Sequence, residues 1–104
     1  MVKNIKNAET VYEADAIIGK KLNEENDCEY VQLSISKGKE IAAHTLPMPV
    51  TFYVLNGKAA LIINDKQLNI QKGDLIEVKT GASRAWENTG NEELQLLAIK
   101  HLKL

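Results

Sequence analysis

His44, His101 and Glu40 carry the donor atoms that a divalent metal takes, imidazole nitrogen and carboxylate oxygen. Glu40 and His44 stand four residues apart in an extended stretch, so period-two alternation turns them to the same face. His101 falls near the chain's end, and a His44–Glu40–His101 set is the one non-standard metal site these residues offer. One imidazole alone does not hold zinc or iron tightly. Without a metal, His44 has the chemistry of a general base, which needs a tuned pKa and a substrate within reach. Arg84 and Trp86, two residues apart on one strand, share a second face. A guanidinium there can take a carboxylate or phosphate, and an indole can stack on a ring or a sugar face. The structural alternative for Arg84 is an ion pair with Glu40 or Glu87, because a buried arginine needs a partner. Cys28 is the only cysteine, so no intrachain disulfide forms. With no histidine beside it in sequence, it is read as an inert thiol.

The elements that must position these groups are strands. Tyr30–Ser36 alternates, with Val31, Leu33 and Ile35 on one face. Lys66–Gln71 alternates too, while 59–63 and 94–99 are short apolar runs suited to buried strands. Turn signals separate them at strand-length intervals: 24–27, Lys37-Gly38, Asn56-Gly57, Asn64-Asp65, 72–74, Gly81 and 89–91. Many short strands with regular turns indicate a sandwich or barrel. Residues 13–18 are read as extended, against a helical turn that Gly19 would end. Parity then places His44, Leu46, Val50, Phe52 and Val54 on one face, with Thr51, Tyr53 and Leu55 on the other. Pro47-Met48-Pro49 is read as stiffening the connection between two strands, the alternative being that it shapes the pocket rim.

Composition narrows the function classes. The 104 residues suit one domain, 1–104. Thirteen basic and fourteen acidic residues leave a net charge of -1 with interspersed signs. No basic stripe is present to neutralise phosphates, so nucleic acid is not an expected partner. The chain opens on no charged and apolar leader and has no bilayer-length apolar run, so no membrane partner is expected and a cytoplasmic location is.

The stretch from Gly38 to Asn88 resembles the two motifs of the cupin family. The first family motif reads G-x5-H-x-H-x3-E-x6-G. Here Gly38, His44 and Gly57 match, with Leu46 in the place of the second histidine and Val50 in that of the glutamate. The second reads G-x5-P-x-G-x2-H-x3-N. Gly73, Gly81 and Asn88 match, Lys79 replaces the proline and Arg84 replaces the histidine. Four glycines and an asparagine thus fall in register, with motif 1 at 38–57 and motif 2 at 73–88. The resemblance implies an all-β double-stranded β-helix, a jelly-roll barrel. It also implies a metal centre from which only His44 survives, since leucine and valine donate nothing and arginine is a cation without a lone pair.

Two functions stay open at this level. One is a metal-free barrel binding a small anionic or ring-bearing molecule through His44, Leu46, Val50, Phe52, Arg84 and Trp86, with no cofactor. The other is an enzyme: an isomerase or lyase with His44 as acid and base, or an oxygenase with a divalent metal in a non-standard site. Apolar residues on the outer set Thr51, Tyr53 and Leu55 and on the last strand predict a homodimer.

Overall fold

Ten strands account for nearly all the regular structure in the computed structural model, which describes residues 1–103. A single 3-10 turn, Ile5–Asn7, precedes them, capped by the Asn4 side chain accepting from the Lys6 N–H at 2.9 Å. The strands are β1 (Glu9–Ala14), β2 (Ile17–Glu25), β3 (Cys28–Ile35), β4 (Glu40–His44) and β5 (Val50–Asn56). They continue as β6 (Lys58–Ile63), β7 (Lys66–Gln71), β8 (Leu75–Val78), β9 (Arg84–Asn88) and β10 (Leu94–His101). They form a six-stranded sheet, β1-β2-β3-β10-β5-β8, and a four-stranded sheet, β4-β9-β6-β7, with every pairing antiparallel.

The alternation in the sequence becomes the two faces of each sheet. Val31 and Ile35 of β3, Val50, Phe52 and Val54 of β5, and Leu94, Leu96 and Ala98 of β10 are all buried on the inner face. Ala59 and Leu61 of β6 and Trp86 of β9 meet all of these but Val31 from the other sheet, in one apolar core. Burying a side chain of this size contributes about 1.5–3 kcal/mol. The shared core is what holds two sheets that exchange few hydrogen bonds. Tyr53 and Leu75 stay on the outside, 39% and 62% exposed.

The turns follow the expected punctuation. Asn26-Asp27 and Asn64-Asp65 have positive φ at both residues, the geometry of tight hairpins. One further hairpin was not legible. The extended reading of residues 13–18 holds only at the two ends of that stretch, because Asp15 and Ala16 turn the chain between β1 and β2 at φ +42° and +67°. Alanine carries no signal for that conformation. Gly19 ends no helix. It lies within β2, where a Cβ would stand 3.0 Å from Leu33 Cδ2 and 3.2 Å from Tyr12 Cβ.

Asn88 ties the second motif to the scaffold. Its Nδ2 donates to the Ile35 carbonyl at 3.0 Å and the Glu92 carbonyl at 2.8 Å, and its Oδ1 accepts from the Gly90 N–H at 3.0 Å. The asparagine thus satisfies turn backbone, as its type and position predict.

Candidate functional site

The site is built where β4 runs beside β9. Glu40 lies opposite Glu87, Ile41 opposite Trp86 and His44 opposite Arg84, with a shift in register between Ile41 and His44. Three steps along β4 therefore face two along β9. A bulge of this kind exchanges the faces on either side of it. Ile41 and His44 both take the face of Trp86 and Arg84, while Glu40 turns outward with Glu87. The parity that put Glu40 and His44 on one face fails here, because simple alternation does not survive an inserted residue.

Arg84 and Trp86 do share the inner face. Arg84, Trp86, Val50 and Phe52 are 1%, 1%, 1% and 4% exposed. Phe52 packs edge-on against Trp86, ring centroids 5.1 Å apart and planes at 63°. The sequence suggested an open pocket with these groups as its walls. In the structure the same side chains fill that space and pack on one another. Two surface clefts of about 490 and 250 Å³ lie elsewhere, one beside Asn4 and Lys21, the other beside Tyr30 and Leu97.

His44 ends β4 in an exposed position, its Nδ1 3.0 Å from the Ala42 carbonyl. It therefore belongs to the rim and not to the interior. Leu46 is half-buried against the core, as is Met48 between the two prolines. The Gly81 N–H donates to the Leu46 carbonyl at 2.9 Å, joining the β4–β5 and β8–β9 connections.

Arg84 has no carboxylate partner. The ion pairs among the described residues are lysine pairs, and Glu40 and Glu87 are both exposed on the opposite face. The expected ion pair is therefore absent. Instead Nε and Nη2 donate to the Ala82 carbonyl at 3.3 and 3.2 Å. Nη1 is buried without an acceptor, and so is Trp86 Nε1. Burial holds the Arg84 guanidinium below its ordinary pKa, because the charged form loses its hydration. Arginine remains a cation even so.

His101 faces the outside of the six-stranded sheet. Its Nε2 shares a hydrogen bond with Thr51 Oγ1 at 2.9 Å, and its Nδ1 lies 3.7 Å from Cys28 Sγ, its cross-strand partner. Cys28 thus has a histidine neighbour that only the pairing of β3 with β10 supplies. Glu40, His44 and His101 occupy separate surfaces, so their proposed metal set does not assemble. No cluster of three or more His, Cys, Asp or Glu side chains able to hold a metal occurs among the described residues. The donor set at the motif positions does not fit a divalent metal either. Leu46 and Val50 have no donor atom, Arg84 brings a buried cation, and one rim imidazole remains.

The cupin domain family matches residues 31–100, which include both motifs and the strands that flank them. The chain belongs to the cupin family. A Thermotoga maritima protein named oxalate-binding protein is 38% identical over 48 residues, 46% of this chain and 40% of that protein. The crystal structure of a predicted oxalate decarboxylase from Thermotoga maritima matches at TM-score 0.88 and 22% identity, covering 99% of this chain and all of that one. An RmlC-like cupin from Shewanella frigidimarina matches at TM-score 0.83 and 14% identity, over 94% of this chain and 86% of the other. At these identities the two structures establish the fold. The described residues include no helix long and apolar enough to cross a membrane.

Proposed function

We propose that this cupin is a metal-free barrel that binds a small molecule whose anionic group is neutralised by Arg84. One observation carries the reading. Arg84 is buried, lacks a carboxylate and leaves Nη1 without an acceptor. An uncompensated buried cation costs several kcal/mol, and proteins retain one where something completes it. The name of the Thermotoga relative supports a small carboxylate as the kind of molecule involved. A ring-bearing ligand has less in its favour, since Phe52 already engages the face-lining Trp86. Binding requires side-chain displacement, since Arg84 is 1% exposed and Trp86, Val50 and Phe52 are buried with it. The protein acts as a cytoplasmic homodimer, with exposed Tyr53 and Leu75 on the outer face of the six-stranded sheet supplying apolar contact.

Thermal unfolding in the presence of carboxylates, phosphates and sugars tests the binding reading. A ligand at a hundred times its Kd stabilises by about 2.7 kcal/mol. Carboxylates are expected to raise the midpoint of the wild type and leave Arg84→Ala unmoved. If no compound does so in an Arg84-dependent way, the reading is wrong. Elemental analysis tests the other half: stoichiometric iron, zinc, manganese or nickel that His44→Ala abolishes would replace it with the enzyme reading. Light scattering at micromolar concentration checks the dimer, and a monomer mass contradicts it.

A further inference from the structure

We infer that Cys28 is a nucleophilic thiol, primed by His101 and Thr51, that takes up small disulfides without negative charge as mixed disulfides on the outer face of the six-stranded sheet. This site is independent of Arg84 and the barrel interior. Side chains from three strands meet there. Cys28 Sγ of β3 lies 3.7 Å from His101 Nδ1 of β10, and His101 Nε2 lies 2.9 Å from Thr51 Oγ1 of β5. The thiol brings a proton to donate, whereas a hydroxyl both donates and accepts. The arrangement that satisfies all three puts the imidazole proton on Nε2, donated to Thr51, and leaves the Nδ1 lone pair facing the thiol. Nucleophile, base and a third group that orients the base are the parts of an activated nucleophile. Cys28 and His101 are half-buried, so the thiol can be reached from solvent.

A surface cleft of about 250 Å³ adjoins the thiol. Its walls include Glu25, the cross-strand partner of Cys28 on β2, and Tyr30, two residues along the same face of β3. Leu22 and Leu97 add apolar surface. Glu25 is the charged group on the thiol's own face. Glu29 and Lys100, which pair with each other at 3.7 Å, alternate to the opposite one. Apolar walls with one carboxylate suit an electrophile with a hydrocarbon body and an uncharged or cationic end. The backbone selects the reaction. Acyl transfer needs N–H groups aimed at a developing oxyanion. Here the His101 N–H donates to the Pro49 carbonyl at 3.0 Å and the Leu102 N–H to the Asp27 carbonyl at 2.7 Å. Displacement at sulfur needs no such donors. His101 Nδ1 takes the Sγ proton, and the thiolate attacks one sulfur of the disulfide. The new S–S bond forms as the old one breaks, and the departing thiolate takes the proton from His101 and leaves as a thiol. The disulfide is itself the oxidant.

Cys28 is the chain's only cysteine, so the released thiol counts one event per chain. Rates with dithiodipyridine, cystamine and oxidised glutathione are measured at pH 7 on the folded protein and on the same protein unfolded in urea. A half-covered thiol that is merely structural reacts more slowly folded than unfolded. The primed thiol is expected to react about tenfold faster folded, and a slower folded rate overturns the proposal without any variant. His101→Gln should slow the folded protein about tenfold to a hundredfold, the lower part of what a positioned base contributes. Thr51→Val should slow it about twofold to tenfold, the worth of one hydrogen bond. Both gaps should close near pH 10, above the ordinary thiol range of about 8.5, where hydroxide removes the proton. An unchanged rate in His101→Gln, or a gap that persists at pH 10, overturns the priming. With each rate divided by its unfolded value, cystamine should exceed oxidised glutathione about fivefold, the worth of one exposed charge contact. Equal ratios overturn the disulfide class alone.

Discussion

Replacing Arg84 by methionine is expected to make the ligand-free protein more stable. The perturbation removes a buried guanidinium that lacks a counter-charge and has one nitrogen without an acceptor. Leaving such a group unsatisfied costs about 1–3 kcal/mol, and the charge adds a desolvation penalty. Against this stand two long hydrogen bonds to Ala82, at 3.3 and 3.2 Å, and the change in shape. An unbranched methionine follows much of the arginine stem and refills much of its volume. The balance is a gain of about 1–2 kcal/mol, which for a domain of this size raises the midpoint by about 5–15 °C. The sign of the pH dependence follows from the lowered guanidinium pKa. Folding disfavours the charged form, so the penalty is present at every pH below the folded value and is relieved only as pH rises through it. Arginine stays charged across the range of about pH 5–9, and the methionine gain should be flat there. Urea and thermal unfolding of dialysed protein at several pH values measure both. A loss of more than about 1 kcal/mol in Arg84→Met would mean that the arginine is a structural strut and that its free nitrogen marks no seat.

The same scaffold makes three further predictions. Asn88→Ala removes three hydrogen bonds at a residue 3% exposed, and should cost about 2–4 kcal/mol in denaturant unfolding. Gly57→Ala should destabilise far more than Gly73→Ala. Both have φ above +90°, but a Cβ at Gly57 meets backbone at Glu93 O, 3.1 Å, and Leu94 Cα, 3.2 Å, whereas Gly73 is open. The open site carries only the conformational cost of about 1 kcal/mol, and equal losses would contradict the close approach. His44→Ala removes an exposed ring bonded to its own strand, so stability should change by no more than about 0.5 kcal/mol.

The barrel was legible because its signals are local. Alternation in Tyr30–Ser36 became the inner face of β3, and the four motif glycines all sit at positive φ where the chain turns. Asn88 was legible for its turn contacts to Glu92 and Gly90, but not for its bond to Ile35, which crosses to β3 of the other sheet. The Asp15-Ala16 hairpin was not, because alanine at φ +67° has no local cause and is imposed by the pairing of β1 with β2.

Sequence by itself determined that Leu46 and Val50 have no donor atom, that Arg84 has no lone pair to offer, and that an arginine and a tryptophan share one face. Those are statements about residue type and period-two spacing, and they need no coordinates. Tertiary structure decided what that exchange means. The bulge in β4 sent Glu40 outward and left His44 on the rim, and the pairing of β3 with β10 brought His101 to Cys28. Packing buried Arg84 as deeply as Val50, Phe52 and Trp86 without supplying it a carboxylate. Whether a charge is compensated depends on every element that surrounds it, and those elements meet only when the two sheets close on each other.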